Sequence, residues 1–251
     1  QPTPTPGPTA TGAGQVVASP RPTEPPKPPD EMIEIPAGPF IFGSDTTEPD
    51  ESPAQTVELP AFEIDRFEVA NEDFAMFVAA TGYQTEAERS GAKKTWQAYA
   101  EGKGNHPVVK VSWNDAMAYC SWLGKRLPTE QEWEKAARGP EGNIFPWGNA
   151  FDPTRANIKA TGIRGTVAVG SFPAGASPYG VEDLAGNVWE WTASAFQGYP
   201  NSTYVDKFYS DELRVTRGGG WFDDEAQVRS ANRSAAVLEA ANDDLGFRCA
   251  R

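Results

Sequence analysis

Few side chains in this sequence are placed to do chemistry. Two adjacent carboxylate pairs, Asp223-Asp224 and Asp243-Asp244, suit general acid–base work if one member is buried and its proton affinity raised. The alternatives are a solvated acidic loop or part of a metal cage, and both are favoured because no nucleophile sits beside either pair. Ser230, Ser234 and Tyr209 form no recognisable arrangement with histidine, of which the chain has one, His106, followed by Pro107. Such a lone histidine reads as a structural or surface side chain. Cys120 and Cys249 are the two cysteines, and neither lies in a CxxC or CxxxC pattern of the kind that serves metal or redox sites. They read as one long-range disulfide, with two buried reduced thiols as the alternative. No catalytic constellation emerges.

The bulk composition narrows the partners. The 251 residues carry 22 Lys and Arg against 35 Asp and Glu, a formal net charge of −13. A phosphate backbone needs clustered cations, so nucleic acid is excluded as a partner. No apolar stretch approaches the roughly 20 residues that cross a bilayer, so no direct membrane span is expected. Eleven per cent aromatic residues, including 8 Trp, imply a packed core rather than a disordered chain.

That core does not begin at the first residue. Residues 1–30 hold 10 of the 23 prolines, and their charges, Arg21, Glu24, Lys27 and Asp30, sum to zero. This Pro/Thr-rich segment reads as an extended tether of roughly 3 Å per residue: a plain spacer, an SH3-type ligand or a docking strap. The entire negative excess then belongs to residues 31–251, one domain's worth of chain. The sequence opens on Gln1 without a basic n-region and apolar h-region, so any export signal is expected to have been removed. A Thr/Pro stalk ahead of a globular domain suggests an extracytoplasmic protein, periplasmic or at the cell surface. A lipidated cysteine just before Gln1 would make the stalk a membrane leash.

Local patterns predict three helices in a chain otherwise made of loop and short strand. Asn71 is a candidate N-cap, with Phe74, Phe77 and Val78 on one face and Gly82 as the stop. Ser112 with Asp115 three residues on resembles a capping box, and Ala116, Tyr119, Cys120 and Leu123 point inward from that helix. Thr129 and Glu132 form the clearest capping box, with Trp133, Ala136 and Ala137 as the buried stripe before Gly139. Beyond residue 140 the periodicity gives way to glycine, proline and tryptophan, a region that must be held by side-chain packing and buried loops.

Several spaced motifs in that order resemble the formylglycine-generating enzyme, or sulfatase-modifying factor, family. They are Val111-Ser112-Trp113-Asn114-Asp115-Ala116, Tyr119-Cys120, Lys125-Arg126-Leu127-Pro128-Thr129-Glu130, Glu132-Trp133-Glu134, Pro146-Trp147-Gly148, Gly186-Asn187-Val188-Trp189-Glu190-Trp191, Arg217-Gly218-Gly219 and Leu245-Gly246-Phe247-Arg248. The resemblance spans nearly all of residues 31–251. It implies an α+β fold, a C-type-lectin-like variant with little regular secondary structure, and a bond between Cys120 and Cys249. It also implies structural Ca²⁺ at the Gly186–Trp191 loop, through the Asp183 and Glu190 carboxylates and the main-chain carbonyls of Gly186 and Val188. These are hard oxygen donors on a tight loop, as Ca²⁺ requires. A second family calcium site matches Asn157 and Ile158, although the following Lys159–Val169 segment lacks the usual acidic partner. The alternative for Glu190 is a buried carboxylate satisfied by hydrogen bonds.

The family's chemistries find no ligands here. Its oxidases bind copper through two cysteines shortly after the Gly-Gly motif, where this chain has Trp221-Phe222-Asp223-Asp224-Glu225-Ala226-Gln227-Val228. Hard carboxylates do not replace a soft Cu(I) dithiolate. The superfamily's iron-dependent sulfoxide synthases need three histidines. Neither copper nor iron is therefore expected. The preferred expectation is a non-catalytic, Ca²⁺-stabilised binding or structural module, an accessory subunit of a larger membrane-associated assembly of other proteins. Trp221, Phe222, Asp223, Asp224, Arg229 and Arg233 are its candidate partner-facing residues, with internal carboxylate pairing as the alternative for the arginines. The competing readings are a metal-dependent oxidoreductase of the formylglycine-generating type with an atypical site, and a free lectin-like surface protein.

Overall fold

A computed structural model describes residues 31–251 together with Gln1 and Thr3, so the segment read as a tether lies almost wholly outside the described residues. Period-two alternation builds the first ladders. β1 (Met32–Ile35) pairs antiparallel with β4 (Phe62–Asp65), and β2 (Gly38–Phe42) with β3 (Gln55–Leu59). Ile35, Phe40, Phe42, Phe62 and Ile64 point inward from these strands and are buried.

The helices follow their local signals closely. α1 (Asn71–Thr81) has Ala70 rather than Asn71 as its N-cap. The Asn71 amide instead reaches Lys103 O at 2.9 Å, tying the helix start to the next loop. Gly82, at φ +68°, closes α1. Two short helices follow, α2 (Glu86–Arg89) and α3 (Trp96–Ala100), the first opened by a Thr85–Glu88 capping box. α4 (Trp113–Trp122) and α5 (Glu130–Arg138) carry the expected capping boxes, Ser112–Asp115 and Thr129–Glu132. In α5 acids occupy the first turn and Lys135 and Arg138 the last, the arrangement favoured by the helix dipole.

The second half holds more strand than its composition suggests. β5 (Trp189–Phe196), β6 (Ser210–Arg217), β7 (Arg233–Val237) and β8 (Leu245–Gly246) form one sheet in the order β7-β6-β5-β8, antiparallel except for β5 with β8. The small side chains of Ser234, Ala235 and Ala236 thus lie in an edge strand.

The two largest apolar clusters among the described residues hold the elements together. Phe74, Phe77, Trp96, Tyr119, Trp191 and Phe247 surround the Cys120–Cys249 disulfide, which joins α4 to the C-terminus. Ile35, Phe62, Ile64, Trp133, Ala136, Ala137 and Leu184 pack between the N-terminal strands and α5. Between these layers run buried ion pairs that fix the loops: Arg217 with Glu130 and Glu134, Arg229 with Glu51, and Arg248 with Glu190. The architecture is α+β and C-type-lectin-like, with few helices and long side-chain-pinned loops.

Candidate metal loop and binding face

The loop entering β5 has its shape imposed by glycine. Gly186 sits at φ +77°, and a Cβ there would fall 2.3 Å from the Asn157 carbonyl oxygen. Only glycine permits that approach. It lets Gly186 bridge Asn157 in parallel, while Asn187 N donates to Asn157 O at 2.8 Å. Asp183 and Asn187 also lie in the left-handed region, at φ +58° and +62°. The expected ligands Asp183, Gly186, Val188 and Glu190 therefore share one tight loop, with Asn157 against it.

Their polar atoms are partly committed. Glu190 Oε1 accepts from Arg248 Nη2 at 2.7 Å. Its Oε2 accepts from Arg248 Nε at 2.7 Å and Trp133 Nε1 at 2.8 Å. Asp183 Oδ2 accepts from Gly170 N at 2.7 Å. At the other candidate site, the Asn157 and Ile158 carbonyls accept from Asn187 and Thr161, and the Asn157 amide reaches Gly165 O.

Glu68 joins this loop, and sequence reasoning missed it. It is buried, accepting from Asn187 Nδ2 at 2.6 Å and Val188 N at 3.2 Å. An acid flanked by Phe67 and Val69 in an apolar approach to α1 was the available signal. Burial first, then repulsion from Asp183 and Glu190, pushes the Glu68 carboxyl well above its ordinary range. Burial likewise lifts Asp183 to about 6, against the pull of Gly170 N–H and Arg248. Three buried carboxyl groups thus share one guanidinium, and burial favours the protonated form of Glu68, a proton that a bound cation would displace. Among the described residues no group of three or more His, Cys, Asp or Glu side chains is arranged to hold a metal ion. A cation here would take main-chain carbonyls plus one or two carboxylates, an all-oxygen set suited to Ca²⁺.

The loop after β6 organises a second surface. Asp223 Oδ2 accepts from Trp189 Nε1 and Gly220 N, each at 2.8 Å, and its carbonyl accepts from Lys159 N at 3.1 Å. Asp223 is thereby an internal brace. Asp224 remains exposed, 3.0 Å from Lys159 Nζ. Trp221 N is anchored on Asn187 O at 2.9 Å, and Phe222 stands outward with 62% of its surface exposed.

Arg229 and Arg233 are buried and turned onto carboxylates. Arg229 donates to both oxygens of buried Glu51 at 2.7 and 2.8 Å. Arg233 reaches Glu130 at 2.8 Å and lies over the Phe196 and Tyr199 rings. Of the two readings for these arginines, the internal one holds, because the fold sets acids opposite them. In the second acidic pair, burial and then the charges of Asp243 and Asp223 raise the Asp244 pKa. His106 Nδ1 pairs with Thr166 Oγ1 at 3.1 Å, away from these carboxylates.

Comparison with known proteins places this geometry. Residues 18–251 match the sulfatase-modifying factor enzyme 1-like domain. The chain is 38% identical over 272 residues to the inactive C-alpha-formylglycine-generating enzyme 2 of Mus musculus, covering 87% of this chain and 85% of that protein. It is 35% identical over 284 residues to the formylglycine-generating enzyme of Bos taurus, covering 90% and 75%. The solved structure of PvdO from Pseudomonas aeruginosa superposes with a TM-score of 0.73 at 32% identity, covering 88% of this chain and 93% of that one.

Proposed function

The chain belongs to the sulfatase-modifying factor family, and on that premise we propose that it is a non-catalytic binding module stabilised by Ca²⁺. The observation that carries this reading is the use to which the loop after Gly218-Gly219 puts its side chains. Asp223 is spent on Trp189 and Gly220, Val228 is buried in the core, and both cysteines of the chain are joined in the Cys120–Cys249 bridge. No thiolate is left to bind a soft metal or attack a substrate. The similarity to an inactive formylglycine-generating enzyme agrees with this, and the comparable similarity to active ones makes activity the property to test.

A disulfide closing a sequence separation of 129 residues supports an oxidising, extracytoplasmic setting. Among the described residues no helix is long and apolar enough to cross a membrane. Ca²⁺ would be held by the Asp183 or Glu68 carboxylate with the main-chain carbonyls of Gly186 and Val188, because both oxygens of Glu190, the other expected ligand, are taken by Arg248 and Trp133. The ion supplies compensating charge, and the chain's residues keep the Trp189–Trp191 strand registered against Arg217 and Gly246.

Incubation of the purified chain with a cysteine-containing peptide, copper and oxygen should leave the thiol unchanged by mass spectrometry. Conversion of that cysteine to an aldehyde would overturn the non-catalytic reading.

A further inference from the structure

The face carrying Trp221 and Phe222 also has a chemistry of its own. Together with Lys159, Gly162 and Arg164 these two aromatics line a cleft of about 400 Å³. That volume is within the range that admits a ligand or an inserted side chain, roughly 300–1,000 Å³. The lining holds two cations and no anion, in a chain whose formal net charge is −13. Beside it Ile163 leaves 49% of its surface exposed, and Phe222 62%. Exposed apolar groups gathered against cations mark a binding site rather than an ordinary solvated surface.

The cleft is built rather than accidental. The 3₁₀ turn Lys159–Thr161 is capped by Gly162 at φ +72°, and Arg164 follows in the left-handed region at φ +60°, a conformation that costs a non-glycine residue energy. The turn is stapled in place by Asn157 Nδ2 to Gly165 O at 2.9 Å, and its start by Lys159 N to Asp223 O at 3.1 Å. On the opposite wall, Asn187 holds the Trp221 backbone. The backbone is thus fixed while its side chains remain available. Arg164 makes no hydrogen bond or ion pair with a described residue. Lys159 lies 5.8 Å from the Phe222 ring centroid, and its pairing with Asp224 joins two side chains more than half exposed. Such a surface pair is easily exchanged for another carboxylate.

We infer that this cleft receives an acidic segment of a partner protein, a carboxylate meeting Arg164 and Lys159 while an adjacent aromatic or aliphatic side chain packs on Trp221 and Phe222. The inference rests on the binding-module reading and names its partner chemistry. Two cations specify a carboxylate, and an aromatic wall specifies the apolar neighbour.

The test is an array of short synthetic peptides graded in net charge, with and without an aromatic residue, probed with the full chain. Acidic peptides containing an aromatic residue are expected to bind, and added salt to weaken them. Arg164→Glu and Phe222→Ser, both at exposed positions, should each lower the signal about tenfold while leaving the thermal midpoint unchanged. Equal binding of basic or neutral peptides, no binding at all, or indifference to both substitutions would overturn the assignment. If the array fails while other subunits still co-purify with the chain, the acidic-segment assignment falls alone. If neither binds, the module reading falls with it.

Discussion

Arg248 and Glu190 are both fully buried and joined by two 2.7 Å hydrogen bonds, and the same guanidinium donates to the carbonyls of Asp65, Arg66 and Glu182. Removing one partner strands a charge in the core. Arg248→Met is therefore expected to cost about 3–5 kcal/mol in chemical denaturation, and pairing it with Glu190→Leu to recover part of that loss. Asp73 behaves in the opposite sense. Burial and the neighbouring Glu72 lift its carboxyl from 3.8 to about 6, so the folded state holds the proton more tightly than the unfolded one. The contribution to stability is fully present below pH 3.8 and is lost as the pH rises through 6. Asp73→Asn should raise stability at neutral pH by about 1 kcal/mol after allowance for solvent screening, with the gain vanishing in acid. Urea titrations at a series of pH values would check both the sign and the window.

At the scale of elements, the capping boxes are the most independent units. Thr129 Oγ1 accepts from Glu132 N, and Glu132 Oε2 accepts from Thr129 N at 2.8 Å. Thr129→Ala should cost about 1 kcal/mol in thermal or urea unfolding, with Thr129→Ser nearly silent. The same locality explains what could be read in the sequence. α4 and α5 were legible because their caps and apolar stripes lie within a few residues of each other. α2 carries the same signature at Thr85–Glu88, but four residues give no periodicity to reveal it. β5 and β6 were obscured because their residues follow tertiary packing rather than alternation, with register shifts after Trp191. The direction of Arg229 could not be read at all, since its carboxylate partner Glu51 lies 178 residues away. The motifs identified the family and the loop, whereas the place of Glu68 beside that loop needed the fold.

For the molecule as a whole, the loop between Asp183 and Glu190 is where charge, backbone strain and strand register meet, so a bound cation should be felt globally. Ca²⁺ at a hundredfold excess over its dissociation constant is expected to add about 2.7 kcal/mol, visible as a raised thermal midpoint that a chelator reverses. An unchanged midpoint would remove Ca²⁺ from the account. Asn157 and Asn187 link that loop to the aromatic and cationic cleft, Asn157 through Gly165 O and Asn187 through Trp221 N, so the residues that shape the one also position the other. The negative surface then keeps the chain from associating at random, and the cationic cleft gives it a direction. The most direct test is isolation of the tagged full chain from gently solubilised native membranes, followed by mass spectrometry of what remains bound. The account predicts other protein subunits in fixed stoichiometry. A chain recovered alone at its own mass would contradict it.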